Sequence, residues 1–201
     1  MGLALDASAK KVGCSERTLR RHINVGLLRG RRIAGGQLEL SREEEDYLRG
    51  HWTLLSKLMA VLRTERDVRL AVLFGSTATG EDTPVSDVDL LIAHRRTGAM
   101  TQVDLSIRLR RALGTPVDVV MLEQAETQPS LLADVLREGR VLIDRDDLWD
   151  ALQQRRDEIL AAGGREEELI MTRARAAVAE ARERLAQRGG GVGAPRVVVR
   201  K

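Results

Sequence analysis

Residues 70–93, LAVLFGSTATGEDTPVSDVDLLIA, decide how the rest of the chain reads. Leu70, Val72 and Phe74 belong to an apolar run that stops at Gly75-Ser76; Val88, Leu90, Leu91 and Ile92 form a second run, opened by Asp87 and Asp89. Both runs are short, β-rich and bounded by turn residues, which predicts two buried strands joined through a loop or short helix. In a strand, residues i and i+2 share a face, so the carboxylates of Asp87 and Asp89 are expected side by side. Two like charges that close repel unless a cation lies between them. Mg²⁺ is the cation that takes carboxylate oxygens together with the phosphate oxygens of a substrate. Gly75 suits a bent backbone and the close approach of a phosphate, and the Ser76 hydroxyl with the amides after a strand end can hold phosphate oxygens. These residue types in this order suggest a triphosphate site.

Gly75-Ser76, ten intervening residues, then Asp87-Val88-Asp89 with apolar neighbours resembles the signature of the DNA polymerase beta-like nucleotidyltransferases, in particular their minimal, antitoxin-like (MNT-type) branch. That family carries a third carboxylate on a neighbouring strand, and Pro116-Val117-Asp118-Val119-Val120-Met121 supplies a match. Alone, an Asp-x-Asp is more often a solvated strand end, and Asp118 a strand-edge charge facing water. Their joint occurrence on successive strand patterns, over roughly Val68 to Ile143, carries the resemblance. It implies an α/β (α+β) fold with a small mixed sheet and packed helices. It also implies transfer of a nucleoside monophosphate from a nucleoside triphosphate, ATP foremost, to an acceptor hydroxyl of a protein, RNA or small molecule. By the same resemblance Asp87 and Asp89 hold two Mg²⁺ ions, and Gly75 and Ser76 take the β- and γ-phosphates. Asp118 then ligates the metal beside the attacking oxygen and helps to deprotonate it. Relatives in this branch include antitoxin partners of HEPN ribonucleases, which makes a HEPN-type toxin an expected partner.

The first part of the chain has a different character. Ala7 to Arg32 holds eight basic residues and one acidic one, while the whole chain is only +3, so a basic segment is joined to a net acidic remainder. Leu5, Ala9 and Val12 can line a short helix that Gly13 ends; Ser15 is a good N-cap for a second helix carrying Leu19 and Ile23. Two strand-like pieces around Gly35-Gly36 predict a hairpin. Residues 3–48 resemble the winged helix-turn-helix heads of MerR-type and excisionase-like proteins. The resemblance implies duplex DNA as a partner, held by Arg17, Thr18, Arg20 and Arg21 of the second helix and by Arg31 and Arg32 of the wing. The plainer alternative is an arginine-rich helix face in water.

Four segments are expected: a head over 1–48, a nucleotidyltransferase domain over 49–145 led by a helix over 42–65, C-terminal helices over 146–188, and a disordered tail over 189–201. Ser41 caps the leading helix, Glu43 to Glu45 favour its positive end, Gly50 is a candidate kink and Trp52 is expected in the core. Asp146–Ala162 and Arg165–Gln187 are expected as a helical hairpin split at Gly163-Gly164, the second helix packing its thin apolar stripe on the same chain. Aromatic residues are 2% of the chain, which argues against base-stacking platforms. Cys14 is single and expected to be a small buried residue, and His22, His51 and His94 receive no metal or acid–base role. No run approaches a membrane span and the start has no signal-peptide core, so a cytoplasmic protein with no membrane partner is expected. Two non-catalytic uses stay open: a transcription regulator whose nucleotidyltransferase domain only senses nucleotides, and a protein-binding antitoxin.

Overall fold

A computed structural model describes residues 3–96 and 98–189. The chain opens with β1 (Leu3–Ala4), α1 (Leu5–Lys11), α2 (Glu16–Asn24), β2 (Gly30–Arg32) and β3 (Leu38–Leu40), followed by the long α3 (Arg42–Thr64). Then come β4 (Val68–Phe74), α4 (Gly75–Thr79), β5 (Val88–His94), α5 (Ala99–Leu113), β6 (Val117–Met121), α6 (Leu122–Ala125), α7 (Pro129–Glu138) and β7 (Arg140–Asp144). α8 (Leu148–Gln154) and α9 (Arg156–Gly189) close the described part, and residues 190–201, most of the expected tail, lie outside it.

Four strands form a mixed sheet in the order β6-β5-β4-β7. β4 pairs antiparallel with β5 and with β7, while β5 and β6 run parallel, as the crossover through α5 requires. Both faces are covered, which is why the strands read as nearly continuous apolar runs. Ala71, Leu73, Leu90 and Ile92 point to the side of α3 and α5, where Leu55, Leu58, Leu105 and Leu109 are buried. Leu70, Val72 and Leu91 point to the other side, against Leu132, Val135 and Leu136 of α7. This is the nucleotidyltransferase fold.

The first 40 residues build a small layer of their own. Ser15 accepts the amide of Thr18 (3.1 Å) at the start of α2, and the β2–β3 hairpin turns through Gly35 and Gly36, whose φ values of +80° and +75° suit glycine. β1 adds a third strand beside β3. Leu5, Leu19, Leu27 and Leu40 are buried in the same continuous core as Leu90 and Ile92 of the sheet.

A buried ion pair fastens these layers. Arg140, 2% exposed, bonds Glu44 through two nitrogens (2.5 and 3.0 Å) and donates to Leu27 O (3.1 Å) and to Ala78 O (2.6 Å). Its guanidinium lies 3.5 Å from the Tyr47 ring centroid. Glu44 also accepts the Arg29 amide (3.0 Å), and Glu45, equally buried, accepts from Lys11 (2.6 Å). Glu44 and Glu45 in the acidic first turn of α3 are therefore interior, while Glu43 is exposed.

Several local expectations are corrected. α3 runs through Gly50 without interruption, Trp52 is half-buried with its ring 5.8 Å from that of His22, and Cys14 is only partly buried. The C-terminal break falls at Arg155, and α9 continues through Gly163-Gly164. Glycine costs about 1 kcal/mol in a helix interior. Packing overrides that cost here, because a Cβ at Gly163 would meet Ala133 Cβ at 2.6 Å and Pro129 O at 2.9 Å where α9 crosses α7. The stripe of the last helix does not pack on the chain, since every described residue from Glu167 to Leu185 is exposed.

Candidate active site

The site lies where β4 ends and β5 and β6 begin. Phe74 pairs with Asp89 across β4–β5, and Asp89 pairs with Asp118 across β5–β6, so three neighbouring strands bring Gly75, Asp89 and Asp118 to one edge of the sheet. Asp87 stands one residue before β5 and is exposed, as is Asp118; Asp89 is half-buried.

Gly75 opens α4 with φ +69°, and a Cβ there would sit 2.5 Å from Asp89 Oδ2. The Asp89 carboxylate thus occupies the space a side chain would take, and only glycine allows both. The first amides of α4 have no helical acceptor, and Ser76 stands among them half-buried. Ser76 O accepts the amides of Gly80 (2.9 Å) and Glu81 (3.0 Å), closing the turn behind it. Thr77 Oγ1 donates to Asp87 O (3.3 Å), and Thr83 and Ser86 brace the loop that returns to Asp87. Ser106 of α5 donates to Val117 O (2.7 Å), next to Asp118.

Electrostatically the three carboxylates belong together. Burial, followed by the charges of Asp87 and Asp118, pushes the Asp89 carboxyl up to about 6. Among the described residues no three His, Cys, Asp or Glu side chains are placed so that they could hold a metal ion by themselves. The fit to Mg²⁺ rests on the donor chemistry: three carboxylates brought to one edge of the sheet beside a glycine cradle suit a hard divalent cation that keeps part of its shell for phosphate and water.

His51 has a partner that the sequence spacing does not reveal. Its ring nitrogens join Tyr47 O (2.9 Å) to Asp82 Oδ1 (2.7 Å), tying α3 to the loop between α4 and β5. The two residues are 31 positions apart, and nothing in either local pattern points to the other. Elsewhere, Arg17, Arg20 and Arg21 are exposed on α2 and Thr18 is half-buried, with Arg20 paired to Glu16 (2.6 Å). Arg31 and Arg32 are exposed on β2, with Arg31 paired to Glu39 (2.6 Å). The basic residues of the head stand apart from the carboxylates, on separate elements.

Residues 56–148 match the family described as Polymerase beta, Nucleotidyltransferase. The nucleotidyltransferase match starts within α3 and ends at the first residue of α8, so it includes all four strands of the mixed sheet and all three aspartates. It leaves out the head and α9. No curated protein matches the chain. Among solved structures, a toxin–antitoxin with AMP-PNP is 22% identical with a TM-score of 0.44, over 63% of this chain and 97% of that one. A tri-AMPylated Shewanella oneidensis HEPN toxin in complex with MNT antitoxin is 20% identical with a TM-score of 0.42, over 65% and 98%. A toxin–antitoxin MntA-HepT is 20% identical with a TM-score of 0.41, over 65% and 97%. Among the described residues no helix is long and apolar enough to cross a membrane.

Proposed function

We propose that the chain is a Mg²⁺-dependent nucleotidyltransferase that moves a nucleoside monophosphate from a nucleoside triphosphate, ATP foremost, to an acceptor hydroxyl. The observation that carries this is the Asp89 carboxylate, seated in the side-chain space of Gly75 and raised to about 6 by burial and by Asp87 and Asp118. Asp87 and Asp89 hold the metal that accompanies the triphosphate, and Gly75 and Ser76 receive its terminal phosphates. Asp118, exposed at the edge of the site, faces the acceptor and takes the proton from its hydroxyl. The acceptor oxygen bonds to the α-phosphorus as the bond to pyrophosphate breaks. Bound metal supplies neutralisation of the triphosphate charge and a lowered pKa for the acceptor hydroxyl.

As acceptor we propose a HEPN-type toxin protein, in line with the sequence resemblance. For the head we propose duplex DNA. Arg17, Arg20 and Arg21 project from the face of α2 opposite the buried Leu19 and His22, which supports phosphate contact. The deciding experiment incubates the full chain with α-labelled nucleoside triphosphates and candidate acceptors, with Mg²⁺ or with chelator. Label transfer that requires both Mg²⁺ and Asp89 is the expected result; transfer by Asp89→Asn at the wild-type rate would reject the assignment.

A further inference from the structure

Where α2 meets the end of α3, the chain encloses a hollow whose charged side chains are all basic. Ser15, Arg17, Thr18, Arg21 and His22 come from α2 and its cap, and Arg63 from the last turn of α3; together they line about 240 Å³. The acidic residues beside them in sequence are engaged elsewhere, Glu16 with Arg20 (2.6 Å) and Glu65 with Arg108 (3.3 Å). Among the described residues Arg17, Arg21 and Arg63 have no ion-pair partner. A second hollow adjoins the first through Arg21, His22 and Arg63 and adds one charge of each sign, Asp144 and Arg145. Both are occupied: Asp144 accepts the amides of Leu148 and Trp149 (3.1 Å each), and Arg145 donates to Glu65 O and Val68 O (2.7 and 2.8 Å).

His22 supplies an independent sign that something belongs there. It is 3% exposed, and its ring makes no hydrogen bond among the described residues; it meets Trp52 edge-on at 5.8 Å. Burial, then the charges of Arg21 and Arg63, hold its imidazole down at about 4. At neutral pH His22 is therefore an uncharged ring with one donor and one acceptor nitrogen, both unsatisfied, in the wall of a positive hollow. Buried polar groups are rarely left without partners, and a bound ligand is one way of supplying them.

We propose that this hollow binds the terminal phosphate of a small phosphorylated ligand, with Arg17, Arg21 and Arg63 around its oxygens and His22 donating from the wall. Three guanidiniums exceed what a carboxylate needs, since one planar fork satisfies its two oxygens. A terminal phosphate offers three oxygens and close to two charges. A phosphodiester of duplex DNA has one charge, and a rigid duplex meets exposed side chains before it reaches a residue as buried as His22. None of these residues belongs to the carboxylate edge, so the site is separate from the nucleotidyl transfer proposed above. Arg17 and Arg21 are shared with the proposed DNA contact and Arg63 is not, so Arg63 decides between the two ligands.

The test adds pyrophosphate to the full chain in chelator, at constant ionic strength, so that no metal recruits it to the aspartates. Binding is read by calorimetry and by NMR of the histidine rings, with His51 and His94 as internal controls. Pyrophosphate is expected to move the His22 resonances alone and to raise the His22 pKa from about 4 by roughly one unit, because the anion offsets Arg21 and Arg63. Arg63→Gln should weaken pyrophosphate about tenfold while a short synthetic duplex loses far less. Lys10→Gln, on α1, should change pyrophosphate affinity by less than about twofold. Arg63 and Lys10 are exposed, and an unchanged circular dichroism melt confirms that the variants fold. Unmoved His22 resonances, or wild-type pyrophosphate affinity in Arg63→Gln, would overturn the proposal. So would an Arg63→Gln chain that loses the duplex and keeps pyrophosphate, which would assign the hollow to the DNA backbone. A chain that binds pyrophosphate at His22 and no duplex upholds the site and rejects the DNA contact alone.

Discussion

Two groups of charged side chains, one joining β7 to α3 and one at the starts of β5 and β6, are treated in opposite ways. Glu44 and Arg140 are almost wholly buried, bonded to each other through two nitrogens, and the remaining guanidinium contacts go to carbonyls of Leu27 and Ala78. Asp87, Asp89 and Asp118 are gathered at the sheet edge with no cationic side chain answering them among the described ion pairs. Removing a charge from water is costly and is tolerated where partners compensate it. The first group is compensated within the chain, as a structural fastening is. The second is left with its charge outstanding, as a site for a cation and a polyphosphate should be.

The largest expected effect tests the second group. Asp87→Asn and Asp89→Asn should each lower nucleotidyl transfer by about ten-thousandfold with the fold intact, measured by labelled transfer alongside circular dichroism. Wild-type turnover in either would place the charge outside the chemistry and erase the contrast. Next comes the first group. Arg140→Met strands the Glu44 carboxylate and should cost about 4 kcal/mol in denaturant unfolding, whereas adding Glu44→Leu should recover much of the loss. If the double variant is no better than the single, the pair is not a compensated unit.

A smaller effect separates members of the triad. Asp118→Ala should slow transfer about a hundredfold while Mg²⁺-nucleoside triphosphate binds with near wild-type affinity by calorimetry, because the role proposed for it falls at the attacking hydroxyl. Loss of affinity as large as that of Asp87→Ala would move Asp118 into the triphosphate-holding set. The smallest effect is on stability. Asp89 has its carboxyl near 3.8 unfolded and about 6 folded, so the folded state binds the proton more readily. The contribution of Asp89 to the stability of the metal-free protein should therefore be highest below pH 4, fall as pH rises from about 4 to about 6, and stay lower above it. Asp89→Asn escapes this loss and should be more stable than wild type at pH 7.5 by about 1 kcal/mol, after allowing for solvent screening of a half-exposed group. The gap should close below pH 4, and saturating Mg²⁺ should stabilise only the wild type.

The sheet and its aspartates were legible because strand periodicity and turn residues are local signals: Val68–Phe74, Val88–His94 and Val117–Met121 are each bounded where the apolar run is. Gly75 was legible for the same reason, although the sequence does not say that Asp89 fills its side-chain space. The fate of Glu44 and Glu45 was hidden, because acidic residues in a first helical turn fit the helix dipole whether or not anything covers them. Arg140 is 96 residues from Glu44, and no periodicity reports a pairing at that distance. Gly163-Gly164 misled for a related reason. Glycine is a fair signal of a helix end until a neighbouring helix needs the room, and only Ala133 and Pro129 in place reveal that need. His51 and Asp82 likewise meet only through the fold.

The bond from Arg140 to Leu27 O spans 113 residues, and the amide of Val141 donates to Gly26 O beside it. The opening layer is thus latched by the last strand of the mixed sheet. During synthesis from the N-terminus, α1 and α2 wait for most of the chain to leave the ribosome before their inner side is closed, and contacts of such long sequence separation form slowly. A release of translation anywhere before Arg140 leaves both the opening layer and the carboxylate edge without that latch. The order of synthesis therefore couples the two: a chain that has acquired a secure opening layer has also acquired the strands that carry Asp87, Asp89 and Asp118.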